Sequence, residues 1–493
     1  MGIDYINDDV HGRIEINEIE CDIVKTSAFQ RLGRIKQLGL ASLVFPSATH
    51  TRFSHSLGTL HVMSKIIKQL NKDGLHIKPF EERNLRLAAL LHDIGQYPLS
   101  HAIEFVYKRI NPSDFFENNS EDIPDQSPIF LRMATSQTES RFDKASDKYI
   151  GIEILRKDKE LISVFEKHKI YTNDVQEIIN IIEGKHKVPI FKQLMDSHYD
   201  CDRLDSICRD SRLCGVTYGN IDINYFIENL HCVYDPPYDK YEYNRYLAVN
   251  KKRALHTLEH YLVSRYFMYS QIIHHRNIKS FELLAKAIFF GLAQRGLVYP
   301  NYQHIINSIG TNDFLFFDDN YFFTKIFDYY KKPDADEQIK NWINRLLNRK
   351  PLTVVGEIKK LQEDAEYYSY KTWFFIEKNL DTLCKEIGIR CDEIIPNEIA
   401  VEFVPVETDI LSILGKSAGP KEVVEAKEKY RLSPRLYNDQ ISENFEMLLV
   451  DPSSFVSQLS KLKLIIITIY STSDDKSLPN KLMSEFYKRS RNK

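Results

Sequence analysis

From residue 16 to about residue 70 apolar side chains return every three or four positions: Phe29, Leu32, Ile35 and Leu38, then Leu57, Leu60, Met63, Ile66, Ile67 and Leu70. That step matches the α-helical turn, so the spacing predicts helices on both sides of a connection at Leu43 to Phe53, where Pro46 and a polar cluster interrupt it. Glu81 to Ile94 predicts a further helix, with Leu85, Leu87, Ala88, Leu90 and Leu91 making it apolar on most sides, as a helix central to a core must be. Residues 111–144 break the rhythm with Pro112, Pro124, Pro128, asparagines and acids, and read as an insertion. Helical spacing resumes at Tyr149 and runs through Ile178 to Ile182, Leu194 to Cys214 and Ala254 to Gly296. Beyond Pro351 the texture changes: Glu398 to Thr408 alternates and Leu462 to Thr472 is β-branched, the pattern of strands. The expectation is a mainly α chain, with a helical core over residues 1–300 and a smaller α+β lobe over residues 301–493.

Composition narrows the classes. The 493 residues are 43% hydrophobic and 27% charged, which is globular. The 66 basic residues against 69 acidic give a net charge of −3, which argues against a chain-wide nucleic-acid surface. Seven cysteines without a Cys-x-x-Cys pair fit reduced thiols. The acidic start MGIDYINDDV has no signal-peptide features, and the apolar run Leu464 to Tyr470 is far short of the ~20 residues of a membrane span, so the expected place is the cytoplasm, away from membranes. Neither Gly-x-Gly-x-x-Gly nor a phosphate-loop pattern occurs.

The candidate chemistry begins at His92-Asp93, directly after the apolar helix. A His-Asp dipeptide alone carries little, but a charged pair at the end of a buried helix needs a partner or a cation, since burying it bare costs several kcal/mol, roughly. His55 and Asp202 lie in two further polar segments and complete a set of two imidazoles and two carboxylates. Such a set suits Mn²⁺ or Fe²⁺ and tolerates Zn²⁺, and is less natural for an all-oxygen Mg²⁺ cage. An ion there lowers the pKa of bound water to roughly 7 and polarises a phosphoryl oxygen.

Four segments in order, Phe29-Gln-Arg-Leu-Gly-Arg-Ile-Lys-Gln-Leu-Gly39, Arg52-Phe-Ser-His-Ser-Leu-Gly58, His92-Asp-Ile-Gly-Gln-Tyr-Pro-Leu-Ser-His101 and Asp200-Cys-Asp-Arg-Leu-Asp-Ser-Ile-Cys-Arg-Asp210, resemble the HD-domain deoxynucleoside triphosphate triphosphohydrolases. Gly215 to Asp222 and Val263 to Tyr269 resemble later segments of that family, so the likeness covers about residues 10–300. It implies an HD-domain helical core and metal ligation by His55, His92, Asp93 and Asp202. It also implies hydrolysis of a dNTP to deoxynucleoside and inorganic triphosphate, with Mg²⁺ accompanying the triphosphate. Gln37 and Leu38 match positions that line the deoxyribose. Arg52, Arg203, Asp210 and Arg265 match positions around the triphosphate and sugar, where a planar guanidinium holds phosphate oxygens bidentately. His275 matches a histidine near the nucleotide.

The departures bear on catalysis. A second histidine expected after the His-Asp turn is Gln96 here, leaving His101, and the family's His-Glu pair aligns with Asp147-Lys148. Asp147 could act as an acid if burial raised its pKa, whereas Lys148 beside it is expected to lower it. His101, Glu139, His186 and His198 are the other candidate acids. Many family members are tetramers switched on by nucleotides bound between subunits, so a homo-oligomer, dimer or tetramer, is expected. At the guanine-reading positions this chain keeps Gln30 but has Lys25 for an acid and Gly33 for an arginine, so a different activator, or none, is expected. The animal member's SAM domain is not expected before so early a first motif. Two other readings remain open at the level of sequence: an HD-fold nucleotide sensor with little hydrolysis, and a metal-dependent nuclease, which the net charge disfavours. A role in defence against phage or virus is permitted by the resemblance.

Overall fold

A computed structural model describes residues 3–110, 145–234 and 245–362 and, beyond these, 382, 384–386, 394–402, 435–437, 445–447, 454, 463–473, 475, 477 and 478. The chain opens with a hairpin of β1 (Ile3–Asp8) and β2 (Gly12–Asn17), paired Ile6 to Ile14 and Asp8 to Gly12. Ile14 and Ile16 alternate inward while Arg13 and Glu15 face out, the two-residue period of a strand with one covered face. Gly12 closes the turn at φ +74°, where a side chain would be strained.

The next elements are α1 (Glu18–Lys25), opened by an Asn17–Glu20 capping box, and α2 (Ser27–Arg31). The helix expected to run on through Ile35 and Leu38 does not. After a short 3₁₀ turn at Leu32–Arg34 the chain extends, Lys36 bridges Thr51, and the Gln37 amide donates to His50 O at 3.0 Å. These long-range partners outweigh the local periodicity.

Five helices follow: α3 (Arg52–Lys72), α4 (Pro79–Leu91), α5 (His101–Ile110), α6 (Asp147–Lys157) and α7 (Lys159–Lys167). Then come α8 (Thr172–Ile182), α9 (Pro189–Gln193), α10 (Cys201–Cys214) and α11 (Ile223–Glu228). Residues 55–60 of α3 are buried without a break, because α3 lies between α4 and α10. The expected helix from Leu194 starts at Cys201, capped by Asp200, whose side chain accepts from Arg203 N.

After β3 (Leu230–Tyr234) and β4 (Arg245–Asn250) follow α12 (Lys251–Phe267) and α13 (Arg276–Gln294), with a π-helical turn at Met268–Ile273 between them. The helices α14 (Tyr302–Ser308), α15 (Asn312–Leu315), α16 (Asp319–Tyr330) and α17 (Glu337–Leu347) pack their apolar faces into the same core as the first three hundred residues.

The expected C-terminal strands are present. β5 (Thr353–Gln362), β6 (Ile394–Glu402) and β9 (Lys463–Ser471) form an antiparallel sheet in the order β5-β9-β6. β7 (Arg435–Tyr437) and β8 (Phe445–Met447) extend β3-β4. The molecule is mainly α, as its spacing predicted. Cys21, Cys201, Cys208, Cys214, Cys232 and Cys384 are all free thiols. Among the described residues no helix is long and apolar enough to cross a membrane. Residues 111–144, with Glu139, lie outside the described residues.

Candidate metal centre

Three helices and one turn bring the four expected ligands together. His55 lies one turn into α3, His92 caps the C-terminus of α4 with Asp93 in the turn after it, and Asp202 lies in the first turn of α10. Ligand atoms of His55, His92 and Asp93 all lie within 4.8 Å of one another, and Asp202 Oδ1 is 3.0 Å from His55 Nε2. Both rings are oriented by their far nitrogens. His55 Nδ1 is 2.7 Å from Asp205 Oδ2, and His92 Nδ1 is 2.9 Å from Ala89 O. Each ring therefore carries a proton on Nδ1 and turns Nε2 into the cluster. Both Nε2 atoms are buried; that of His92 has no hydrogen-bond partner, and that of His55 faces Asp202 Oδ1. Two converging imidazole nitrogens beside two carboxylates are the donor set of a divalent transition ion, so these residues fit one.

The electrostatics agree. Burial alone would raise the Asp93 carboxyl, but the Arg52 guanidinium, with His92 and His55, holds it well below the usual carboxylate range. Burial likewise opposes ionisation of Asp202, and the His55 contact and the charges of His55 and His92 overcome it. For His55 burial works downward, yet Asp202 and Asp205 push the ring up to about 10: the carboxylates draw a second proton to Nε2, the position that a bound cation would take instead.

The support around the ligands was only partly visible in the sequence. Asp205 and Arg209 were missed. Asp205 is fully buried, and Arg209 Nε and Nη2 donate to its oxygens at 2.9 and 3.0 Å. The signal was available as charges at i and i+4 on a helix, with Gly58 opposite. A Cβ on Gly58 would stand 1.9 Å from Asp205 Oδ1. Arg31 was also missed. Fully buried, it donates to Gln96 O at 2.9 Å, Ile94 O at 2.8 Å and Phe317 O at 2.7 Å, holding the turn that carries Asp93.

Arg52 is buried, and its guanidinium is engaged inside the site: Nη1 donates to Asp93 Oδ2 at 2.6 Å, Nε to Ser100 Oγ at 3.2 Å and Nη2 to Gln37 O at 3.4 Å. Leu99 and Ser100 both take left-handed backbone, φ +54° and +53°, at a cost of about 1–2 kcal/mol each. Asp319 of α16 holds this bend, its oxygens accepting from Leu99 N at 2.7 Å and Lys36 N at 3.0 Å.

A second group adjoins the first. Gln96 Nε2 donates to Asp93 Oδ1 at 3.1 Å and to Asp147 Oδ2, linking α6 to the ligand turn. Asp147, His101 and Glu104 place ligand atoms within 4.8 Å of one another, and His101 Nδ1 is 2.9 Å from Glu104 Oε2. Burial, then the charge of Glu104, raises the Asp147 carboxyl above its ordinary value. Lys148 points to solvent and takes no part in that balance, so its expected lowering of Asp147 is corrected: adjacent residues at a helix start project in different directions.

The α6 start presses on the turn closely enough that a Cβ at Gly95 would lie 2.1 Å from Asp147 O and 2.2 Å from Gly151 N. Gly95→Ala is expected to cost about 1–3 kcal/mol of stability, read as a lowered denaturant midpoint.

The remaining candidates divide. Gln37 Oε1 is buried and without a partner, and Leu38 packs in a small apolar group with Ala41, Phe45 and Tyr218. Asp210 Oδ1 is 2.7 Å from Nε2 of His50, another residue the sequence reading missed. Arg203 is held by Asp200 and by Ser197 O, the latter at 2.6 Å. Arg265 lies over the Tyr269 ring at 5.5 Å with a buried, unpartnered Nη1. His275 caps α13 and meets the Phe45 ring edge-on at 5.8 Å. His198 is corrected as an acid: desolvation, then Arg265 and Arg203, push it down to about 3, so it holds no proton to give near neutrality. His186 is taken up by Glu177, 2.9 Å away, and by the Val188 amide.

Comparison with known proteins agrees with this geometry. Residues 52–207 match the HD-domain family model, a span that contains all four expected ligands. Uncharacterized protein YwfO of Bacillus subtilis is 27% identical over 394 residues, 78% of this chain and 76% of that protein. The deoxynucleoside triphosphate triphosphohydrolase SAMHD1 homolog of Dictyostelium discoideum is 30% identical over 218 residues, 43% of this chain and 36% of that protein. The deoxynucleoside triphosphate triphosphohydrolase SAMHD1 of Bos taurus is 39% identical over 102 residues, 20% of this chain and 17% of that protein. The chain thus spans about a third or less of these two triphosphohydrolases. Among solved structures, a phosphohydrolase from Bacteroides thetaiotaomicron superposes with a TM-score of 0.63 at 22% identity, covering 95% of this chain and 100% of that one, which supports the fold. The chain carries an HD domain, a fold that binds divalent metal, and His55, His92 and Asp93 form a cluster able to hold the ion.

Proposed function

We propose that the protein is a metal-dependent dNTP triphosphohydrolase, releasing deoxynucleoside and inorganic triphosphate. The observation that carries the reading is the convergence of the buried Nε2 atoms of His55 and His92 on Asp93 and Asp202, with the raised Asp147 carboxyl adjoining them through Gln96. His55, His92, Asp93 and Asp202 would hold the ion, Mn²⁺, Fe²⁺ or Zn²⁺, which when bound acidifies water and polarises a phosphoryl oxygen; Mg²⁺ would accompany the triphosphate.

Water attacks the α-phosphorus, the bond to O5′ breaks, and the departing 5′-oxygen needs a proton because an alkoxide leaves poorly. Asp147 supplies it: a carboxyl raised by burial is protonated in a larger fraction near neutrality than an ordinary aspartate. His101, exposed and paired with Glu104, returns the proton from solvent. Arg203 and Arg265 hold phosphate oxygens, Arg52 fixes Asp93, and Gln37 and Leu38 meet the sugar. Asp210 and His275 complete the nucleotide's surroundings.

A cavity of about 650 Å³ elsewhere in the fold is lined by Lys25, Gln30, Arg34 and Lys325 among others. Asp318 of the same lining pairs with Arg34, which leaves Lys25 and Lys325 as the cations for a nucleotide's phosphates; the cavity contains two of the regulatory positions read in the sequence, and it is proposed for an activating nucleotide, in an oligomer of dimer or tetramer size. The reaction would serve in the cytoplasm, and depletion of dNTPs would fit a defence role.

The test is product chromatography. Protein with Mn²⁺ and Mg²⁺ is given each dNTP, alone and in mixtures, with Asp93→Ala beside it. Deoxynucleoside formed by the wild type alone supports the reading. Nucleotide binding without cleavage in every mixture would make the site a sensor.

A further inference from the structure

Outside the residues that match the HD domain, the turn of the β1–β2 hairpin reaches into the support of the metal centre. His11, at the tip of that turn, places Nε2 2.6 Å from Asp205 Oδ1, while Asp205 Oδ2 is the oxygen that receives His55 Nδ1 at 2.7 Å. His11 and Asp205 side chains are 4% and 0% exposed, so solvent does not compete for this contact. The turn is itself fixed. Asp8 Oδ1 accepts from Val10 N at 3.0 Å and His11 N at 2.9 Å, and Arg209 Nη1 donates to Asp8 Oδ2 at 2.8 Å. Arg209 thus holds Asp8 and Asp205 together, and the His11 ring lies against His61 at 5.0 Å.

We infer that His11 is a positioning residue for the metal centre: it fixes Asp205, which sets the ring plane and tautomer of the ligand His55. The inference deepens the proposed function, and it rests on the ligand assignment made there. The physical argument is one of competing donors. Asp205 is a buried carboxylate with two oxygens, shared among His11, His55 and Arg209. If the His11 donor is lost, Oδ1 keeps Arg209 alone, and the carboxylate is free to rotate toward that guanidinium. The His55 ring would then follow or lose its partner, and Nε2 would no longer converge with His92 and Asp93. Supporting groups of this kind contribute roughly 10–100-fold in metal affinity. Neither the His-Asp motif nor the family span contains His11, which is why ligand motifs do not reveal it.

The experiment measures Mn²⁺ affinity of the full chain by chelator competition after metal removal, with no substrate present. His11→Ala is expected to weaken Mn²⁺ binding about tenfold or more. His11→Gln, whose amide reaches as far and still donates, is expected to stay within about threefold of wild type. His11→Asn, too short to reach, is expected to resemble the alanine variant and carries the test if His11→Ala does not fold. Tyr5→Ala perturbs the same hairpin at its exposed Arg13 contact and is expected to leave the affinity unchanged. In an Asp205→Asn background, His11→Ala is expected to add no further loss, because its effect passes through Asp205. Equal affinity of wild type and His11→Ala would overturn the inference, as would a Gln variant as weak as Ala or full additivity with Asp205→Asn. Those results would leave the ligand assignment standing. Absence of Mn²⁺ binding by the wild type would bring down both.

Discussion

Asp93→Ala is expected to abolish Mn²⁺ binding and all turnover, the largest effect of any single change considered. Two losses coincide at this residue. Its carboxylate is one of the converging ligands, so its removal should exceed the ~10–100-fold weakening that a supporting group produces. It is also the carboxylate partner of Arg52, at 2.6 Å, and truncation leaves that guanidinium buried with only Ser100 Oγ and Gln37 O. Removing one partner of a buried pair costs about 3–5 kcal/mol, so the melting temperature should fall as well. The two effects separate in Asp93→Asn, which keeps a neutral acceptor for Arg52 yet lacks the ligand charge. It should recover stability without recovering metal. Calorimetric melting and metal titration of both variants check this. Metal binding by the alanine variant at wild-type affinity would remove Asp93 from the ligand set.

The second large effect is expected at Asp147. Asp147→Asn preserves the shape and offers Gln96 an acceptor oxygen, but it has no proton to give. Turnover should fall ~10²–10⁴-fold with Mn²⁺ affinity unchanged. The pH profile supplies the sign. Asp147 must be protonated to act, and burial with the Glu104 charge raises its pKa, so wild-type activity should decline as pH rises through that value. The residual activity of Asp147→Asn should lack this decline. If the variant turned over at the wild-type rate, His101 would become the proton donor.

The cluster of His55, His92 and Asp93 was legible because its members sit in short ordered motifs at element ends, where a buried charge has few structural uses. The helical body was legible from periodicity, and so were β6 and β9, where β-branched residues gather. What the sequence hid depended on partners distant in the chain. Ile35 and Leu38 keep helical spacing, yet Lys36 pairs with Thr51 and donates to Asp319, 283 residues away. The β1–β2 hairpin carries a weak two-residue alternation, Ile14 and Ile16, that the adjoining helical signal overrode. Asp205 lay in plain view in the motif of Asp202, but only the fold shows that it faces His55 while its neighbour faces the ion site. Lys148 illustrates the converse: adjacency in sequence suggested a charge effect that helix geometry cancels.

The most direct test of the account is hydrolysis of a dNTP mixture in oxygen-18 water, with Mn²⁺ and Mg²⁺ present, followed by mass analysis of the products. Attack at the α-phosphorus predicts one oxygen-18 in inorganic triphosphate and an unlabelled deoxynucleoside. Label in the deoxynucleoside, products of monophosphate and pyrophosphate, or no cleavage by protein that has bound Mn²⁺ would contradict it.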